Sequence, residues 1–273
     1  MHGGREQPRH LLGGLALVRV AEAAARAAGQ IIRAATGGPR RVDHKGAVDL
    51  VTEVDLACEE AIRRLLHEAT PGVPVLAEEG GGAWDATTRW IVDPLDGTTN
   101  FVHGFPSYGV SVALQQDGVV VAGCVYDPIH DAAYTAARGE GAFCDGAPLR
   151  VSATPRLTDA LLITGFAYDR RERADFYLRF VKAFLQRSQG IRRAGSAAID
   201  CCHIAAGRAD GYWEFGLNAW DIAAGALLVE EAGGRVSDVA LGPLDLTRPR
   251  ILASNGHVHD EMAVILTDLL SSI

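Results

Sequence analysis

Apolar residues return every three or four positions from Leu11 to about Ala35, where Leu17, Val20, Ala24, Ala28 and Ile31/Ile32 mark one face of an amphipathic helix. A polar link over 36–49 follows. Thr52-Glu53-Val54-Asp55 then predicts a second helix running through Leu66. A threonine before the first turn and a carboxylate three residues on can satisfy each other's backbone amides, a capping box with Asp in place of the usual Glu. Pro71-Gly72 stops this helix, and short apolar, β-branched runs take over: Val73–Leu76, Trp90–Val92, Tyr108–Gln115, Val119–Asp127 and Ala132–Ala137 read as strands. Asp117-Gly118 marks a hairpin between two of them. Leu161–Tyr168 is a further strand, Phe176–Gln186 a helix, and Ser196–Ala206 a capped helix ended by Gly207. Ala209–Phe215 (strand), Asn218–Ala232 (helix, closed by Gly233-Gly234), Ile251–Ala253 (strand) and Asp260–Leu270 (helix) complete the pattern. Helices, then antiparallel-type strands, then alternating β and α predict an α+β part feeding into an α/β part with no clear linker.

Composition narrows the class. The 273 residues are 48% hydrophobic and 22% charged, the balance of a soluble globular protein with length for a substantial core. A net charge of −8 opposes broad nucleic-acid affinity, and an acidic chain that handled phosphate esters would need cations to offset the repulsion. Cys58, Cys124, Cys144, Cys201 and Cys202 contain no Cys-x-x-Cys pair, so reduced thiols in a cytoplasmic protein are expected rather than a disulfide framework or a zinc site. No apolar run reaches membrane-spanning length. Leu11 to Val18 faintly imitates a signal peptide, but Arg19, Glu22 and Arg26 continue the helical pattern. Residues 1–10 are expected to be disordered.

The stretch from Trp90 to Phe101 places Asp93 and Asp96 three residues apart after a β-branched run, followed by Gly97-Thr98-Thr99. Carboxylates leaving a rigid strand can aim at hard divalent cations, and a glycine lets backbone amides approach an anion. Asp-Pro and Asp-Gly are also ordinary turn dipeptides, so the stretch alone does not decide. Glu78 and Glu79 precede three glycines, Asp221 opens an Ala/Leu/Val helix, and Asp55 closes its own capping box. Taken singly, Asp55 and Asp221 could simply favour a helix dipole, and Glu78-Glu79 could be a solvated loop tip. Taken together they are oxygen donors at element ends with no His or Cys among them, which favours Mg²⁺ over zinc.

At these residues the chain resembles the inositol monophosphatase family of Mg²⁺-dependent, lithium-sensitive phosphatases. Asp93-Pro94-Leu95-Asp96-Gly97-Thr98-Thr99-Asn100-Phe101 fits the family's first signature without substitution. Trp220-Asp221-Ile222-Ala223-Ala224-Gly225 with Glu231-Ala232-Gly233-Gly234 fits the second, and Asp49-Leu50-Val51-Thr52 through Asp55 precedes the paired glutamates in the expected order. Gly141-Ala142-Phe143 and Gly195-Ser196-Ala197-Ala198 extend the match over roughly 40–256. The resemblance implies a layered αβαβα sandwich of the inositol monophosphatase/fructose-1,6-bisphosphatase type, an N-terminal α+β half (11–155) with the metal site and a C-terminal α/β half (156–273) acting as one catalytic unit, and a homodimer. It implies that Glu78, Asp93 and the Leu95 carbonyl hold one Mg²⁺, that Asp93, Asp96 and Asp221 hold a second, and that a third, weaker ion leans on Glu78. Asp55 and Thr98 would activate the attacking water, the Gly97 and Thr98 amides would cradle phosphate, and Asp96, Ala197 and Glu214 would face the substrate.

The chain departs from the family pattern at Ala77, at Gly80, in the short stretch from Glu78 to Asp93, and at Lys45, one residue nearer Asp49 than in some relatives. The nine histidines show no ligand spacing, and His103 is expected to be structural or at the site rim. Arg170-Arg171 with Arg173, and Arg192-Arg193, read as solvated charge, with a partner surface as the alternative, because one bacterial relative contacts transcription machinery and RNA. Trp84, Trp90, Trp213 and Trp220 read as core or packing residues. The implied reaction is hydrolysis of a small phosphorylated polyol or sugar, inositol 1-phosphate first. Histidinol-phosphate, fructose-1,6-bisphosphate, adenosine 3′,5′-bisphosphate and NADP are alternative substrates, and a transcription- or RNA-associated regulator is the alternative of a different class.

Overall fold

A computed structural model of the protein describes residues 13–38, 42–44 and 50–272. The expected disordered start, Leu11 and Leu12, Lys45 and Asp49 lie outside the described residues. The helices are α1 (Gly14–Ala35), α2 (Glu53–Ala69), α3 (Thr98–His103), α4 (Ala174–Leu185), α5 (Ala197–Ala205), α6 (Ala219–Glu231) and α7 (His259–Ser271). The strands are β1 (Val42–His44), β2 (Leu50–Thr52), β3 (Val75–Ala77), β4 (Thr88–Asp96), β5 (Gly109–Gln116), β6 (Val119–Asp127), β7 (Ala132–Ala137), β8 (Gly141–Cys144), β9 (Ala147–Pro148), β10 (Leu161–Thr164), β11 (Gly190–Arg192), β12 (Gly211–Phe215), β13 (Arg235–Asp238) and β14 (Arg250–Ser254).

The first large sheet runs in sequence order from β3 to β9, parallel between β3 and β4 and antiparallel thereafter. The second has the order β11-β10-β12-β14-β13, with β11, β10 and β12 parallel and β14 antiparallel to both β12 and β13. α1 and α2 cover one face of the first sheet, burying Leu17, Ala21, Ala28, Ile32, Ile62 and Leu66 against Trp90, Val112 and Tyr126. α5 and α6 fill the space between the sheets, where small residues such as Ala198, Ala223 and Ala224 let backbones approach closely. α4 and α7 cover the outer face of the second sheet around Phe180, Phe184, Trp213 and Met262. The result is the five-layer αβαβα sandwich.

Local chemistry explains where elements begin and end. The capping box forms as read: Val54 N–H donates to Thr52 Oγ1 at 3.2 Å and Thr52 N–H donates to Asp55 Oδ2 at 2.9 Å. Asp117 and Gly118 both take positive φ (49° and 81°), the conformation of a tight hairpin turn. Asp145-Gly146 carries the same signature, takes the same conformation (46° and 81°) and closes the β8–β9 hairpin. The strand expected over Leu161–Tyr168 ends at Thr164, because the following residues leave the sheet to wall a pocket. β11 and β13 were also not anticipated, being too short to show a period of their own. Trp90 and Trp213 are core residues, whereas Trp84 is 44% exposed and packs its ring against that of Trp220 at 6.1 Å. Four of the five cysteines are buried, Cys144 is partly so, and all are free. Among the described residues no helix is long and apolar enough to cross a membrane.

Candidate active site

β4 is longer than the Trp90–Val92 core predicts and carries Asp93, Pro94, Leu95 and Asp96 within it. Its register against β5 shifts between Asp93 and Asp96. Pro94 has no N–H to give to the ladder, and the bulge re-aims the side chains on either side of it. Leu95 N–H, released from pairing, donates to Asp93 Oδ1 at 3.0 Å. Gly97 follows at φ 93°, where a Cβ would stand 2.9 Å from the Ser107 carbonyl oxygen, so only glycine fits. The expected Gly-Thr-Thr turn is the start of α3, whose Thr98 donates its hydroxyl to Asp55 Oδ1 and to the Leu95 carbonyl, each at 3.0 Å. Asp55 is thus held from two sides, by its own capping box and by Thr98.

Long-range bonds assemble the rest. Asp96 Oδ2 accepts from Ser196 Oγ at 2.6 Å and Ala198 N–H at 2.7 Å, so Asp96 caps α5 from the other half of the chain. Asn100 Nδ2 donates to the carbonyls of Ser107 (2.6 Å) and Ala194 (2.8 Å), tying α3 to the segment before α5. Ser111, paired opposite Asp93 on β5, donates to the Trp220 carbonyl at 3.0 Å and brings the start of α6 beside β4. Asp221, the next residue, accepts from Asn218 N–H at 2.6 Å. Glu78 leaves β3 with its N–H on the Val92 carbonyl at 3.2 Å. Glu59, which the sequence reading did not single out, accepts the Glu79 and Gly80 amides, each at 2.9 Å, and so grips the glycine-rich loop from α2.

Asp96, Gly97, Thr98, Ala197, Glu214 and Asp221 line one pocket of about 100 Å³ together with Phe166, Ala167, Tyr168 and Leu217. Half-buried Arg170 and exposed Arg193, both read from the sequence as solvated charge, also line it, whereas Arg171 and Arg192 are exposed and do not. Arg193 follows a strand too short to be recognised, which is why its direction was not legible. Glu214 is buried, and its Oε2 accepts from the Tyr212 hydroxyl at 2.7 Å.

The electrostatics follow from burial of like charges. Burial raises the Asp93 carboxyl well above the usual range, and Glu78, Asp96 and Asp221 raise it further. Asp221 is raised well above by burial, with Asp96 and Glu78 adding to it. Burial lifts Asp96 to about 6 against its bonds to Ser196 and Ala198, and Glu214 to about 7 against its bond to Tyr212. Asp55 is also raised by burial, opposed by Thr52 and Thr98. Asp200, which the sequence does not single out, is fully buried with neither carboxylate oxygen partnered among the described residues, and burial plus Glu214 hold it well above the carboxylate range.

Cations of high charge would relieve this repulsion, and the donor set fits them in kind: among the described residues Asp93, Asp96 and Asp221 each engage one oxygen in hydrogen bonding and leave the other outside the bonded framework. Among the described residues no three His, Cys, Asp or Glu side chains already close around a single point as an ion cage. The fit therefore rests on the all-oxygen chemistry and uncompensated charge of these groups.

The family model described as the inositol monophosphatase family matches residues 16–271. An inositol-1-monophosphatase of Synechocystis sp. is 43% identical over 252 residues, covering 91% of this chain and 88% of that protein. The Nus factor SuhB of Pseudomonas aeruginosa is 43% identical over 247 residues, covering 88% of this chain and 91% of that protein. The solved structure of an inositol monophosphatase from Anabaena (Nostoc) sp. superposes with a TM-score of 0.85 at 40% identity, covering 95% of this chain and 99% of that one.

Proposed function

Since the chain belongs to the inositol monophosphatase family and is a phosphomonoesterase of it, we propose that it hydrolyses inositol 1-phosphate with Mg²⁺ in the cytoplasm. The observation that carries the substrate is the Glu214 carboxylate in the pocket that Gly97 and Thr98 also line. An acceptor there suits a leaving group rich in hydroxyls, and the names of the Synechocystis and Anabaena relatives agree with that choice.

Glu78, Asp93, the Leu95 carbonyl, Asp96 and Asp221 would hold about two or three Mg²⁺ ions, which when bound neutralise phosphate charge and acidify a water. The protein's own part is positioning. The Gly97 and Thr98 amides hold the phosphate where the left-handed Gly97 brings the backbone close. The Thr98 hydroxyl, 3.0 Å from Asp55 Oδ1, takes a hydrogen bond from the attacking water and hands a proton on to Asp55. The raised basicity that burial gives Asp55 suits it to receive that proton. Ala197 and Glu214 face the ring of the leaving alcohol. The division into halves 11–155 and 156–273 belongs to this proposal: Asp55, Asp93 and Thr98 come from the first, Glu214 and Asp221 from the second.

Phosphate release from inositol 1-phosphate, histidinol-phosphate, fructose-1,6-bisphosphate, adenosine 3′,5′-bisphosphate and NADP, with and without Mg²⁺, tests the reading. The expected result is Mg²⁺-dependent release with the highest kcat/KM for inositol 1-phosphate. A higher kcat/KM for any other ester overturns the substrate, and metal-independent release overturns the ion. The likeness to a Nus factor favours a second reading, association with transcription machinery. A pull-down from cell extract that recovers no transcription or ribosomal component disposes of it.

A further inference from the structure

Tyr212 and Glu214 lie two apart on β12 and so share one face of the strand. The fully buried Tyr212 hydroxyl donates to Glu214 Oε2 at 2.7 Å, leaving Oε1 as the oxygen outside that bond. β10 runs parallel beside β12 with Thr164 opposite Trp213, so the chain leaving β10 passes Glu214 at Gly165. A Cβ built at Gly165 would stand 2.0 Å from Glu214 Oε2, 2.2 Å from Cδ and 2.2 Å from Oε1. These atoms are the far end of a flexible side chain, and Gly165 is outside the left-handed region. Alanine at 165 would therefore push the carboxylate aside rather than break the backbone. A glutamate has three rotatable bonds, and an acceptor that must meet one particular hydroxyl loses affinity when they are left free.

We propose that Tyr212 and Gly165 are positioning residues that frame the Glu214 carboxylate and thereby set the pocket's preference for a hydroxyl-bearing leaving group over a bare one. This rests on the reading of Glu214 given above. Tyr212 supplies the bond that fixes one oxygen, and Gly165 supplies the room in which the whole carboxylate sits. Burial pushes the Tyr212 phenol far up, so it stays a neutral donor at any pH the enzyme meets.

The test is the ratio of kcat/KM for inositol 1-phosphate to kcat/KM for phenyl phosphate, an ester whose leaving group carries no further hydroxyl. It is measured for the full chain and for Glu214→Gln, Tyr212→Phe, Gly165→Ala and the double variant Glu214→Gln/Tyr212→Phe. Each single variant is expected to lower the ratio about tenfold, through KM for inositol 1-phosphate. The double variant is expected to lower it no further than Glu214→Gln alone, since Tyr212 acts through Glu214. A ratio that falls in Glu214→Gln but holds in Tyr212→Phe and Gly165→Ala overturns the frame, and so does full additivity in the double variant. If Glu214→Gln leaves the ratio unchanged, the reading of Glu214 itself fails and the frame falls with it. Tyr212→Phe keeps the ring and its packing, so the test stands even if Gly165→Ala folds poorly.

Discussion

A carboxylate buried among other carboxylates keeps its charge only with help, and Asp93 is such a case, with burial and three acidic neighbours all acting against ionisation. Asp93→Asn removes that repulsion and keeps an oxygen to accept from Leu95 N–H. Phosphate release should fall at least about 100-fold while the melting temperature holds or rises, the pattern of a residue kept for chemistry against stability. Retained activity would show that Asp93 is not a metal ligand. Residues of this kind were legible in the sequence because their type and spacing declare them. Glu59, Asp200, Tyr212 and Arg193 were not, because nothing in a lone Glu, Asp, Tyr or Arg says what will be folded against it. Asp200 in particular looks in sequence like an ordinary polar residue in the first turn of a capped helix, and only the structure buries it without a partner.

At the scale of elements, the site is made by interruptions of regular structure. The β4 bulge at Pro94, the left-handed Gly97 and the short α3 convert one strand into ligands, anion cradle and hydroxyl within a few residues. Gly97→Ala tests the conversion. Alanine would need φ near 93° and would meet the Ser107 carbonyl at 2.9 Å, so the turn must shift and carry Thr98 away from Asp55. Activity should drop by about 100-fold or more together with a stability loss of about 1–3 kcal/mol, read from chemical denaturation. An active, equally stable variant would show that the turn does not hold Thr98. The long periodic elements were readable: α1, α2, β6, β7 and α6 lie close to where hydrophobic spacing places them. α3, β11 and β13 were not, since a helix of six residues or a strand of three or four is held by its neighbours rather than by its own pattern.

For the whole molecule, the raised carboxyl groups link stability to pH and to metal. A carboxyl whose folded pKa exceeds its unfolded value binds more protons in the folded state, so its contribution is full below about pH 4 and is lost as pH rises. For Asp96 the loss runs through about 6 and for Glu214 through about 7, with Asp93 and Asp221 acting in the same direction. His259, buried between Ser237 and Ser254 and lowered to about 4, acts oppositely below about pH 6.5. Chelator-treated protein should therefore melt at lower temperature at pH 8 than at pH 6.5, and added Mg²⁺ should raise the melting temperature more at pH 8. An equal Mg²⁺ effect at both values would mean that the ion does not replace protons on these carboxylates. The order of elements predicted an α+β part feeding into an α/β part, and the five-layer arrangement was implied by the family resemblance. By itself the sequence determined which residues are chemically fit for the site, because oxygen ligands, a permissive glycine and a capping threonine are properties of residue type and local spacing. Only the tertiary structure decided which of them share a charge, which acid is left without a hydrogen-bond partner among the described residues, and that Gly165 passes close against the Glu214 carboxylate. Those are relations across sheets and helices far apart in the chain, and the packing that creates them has no local period to read.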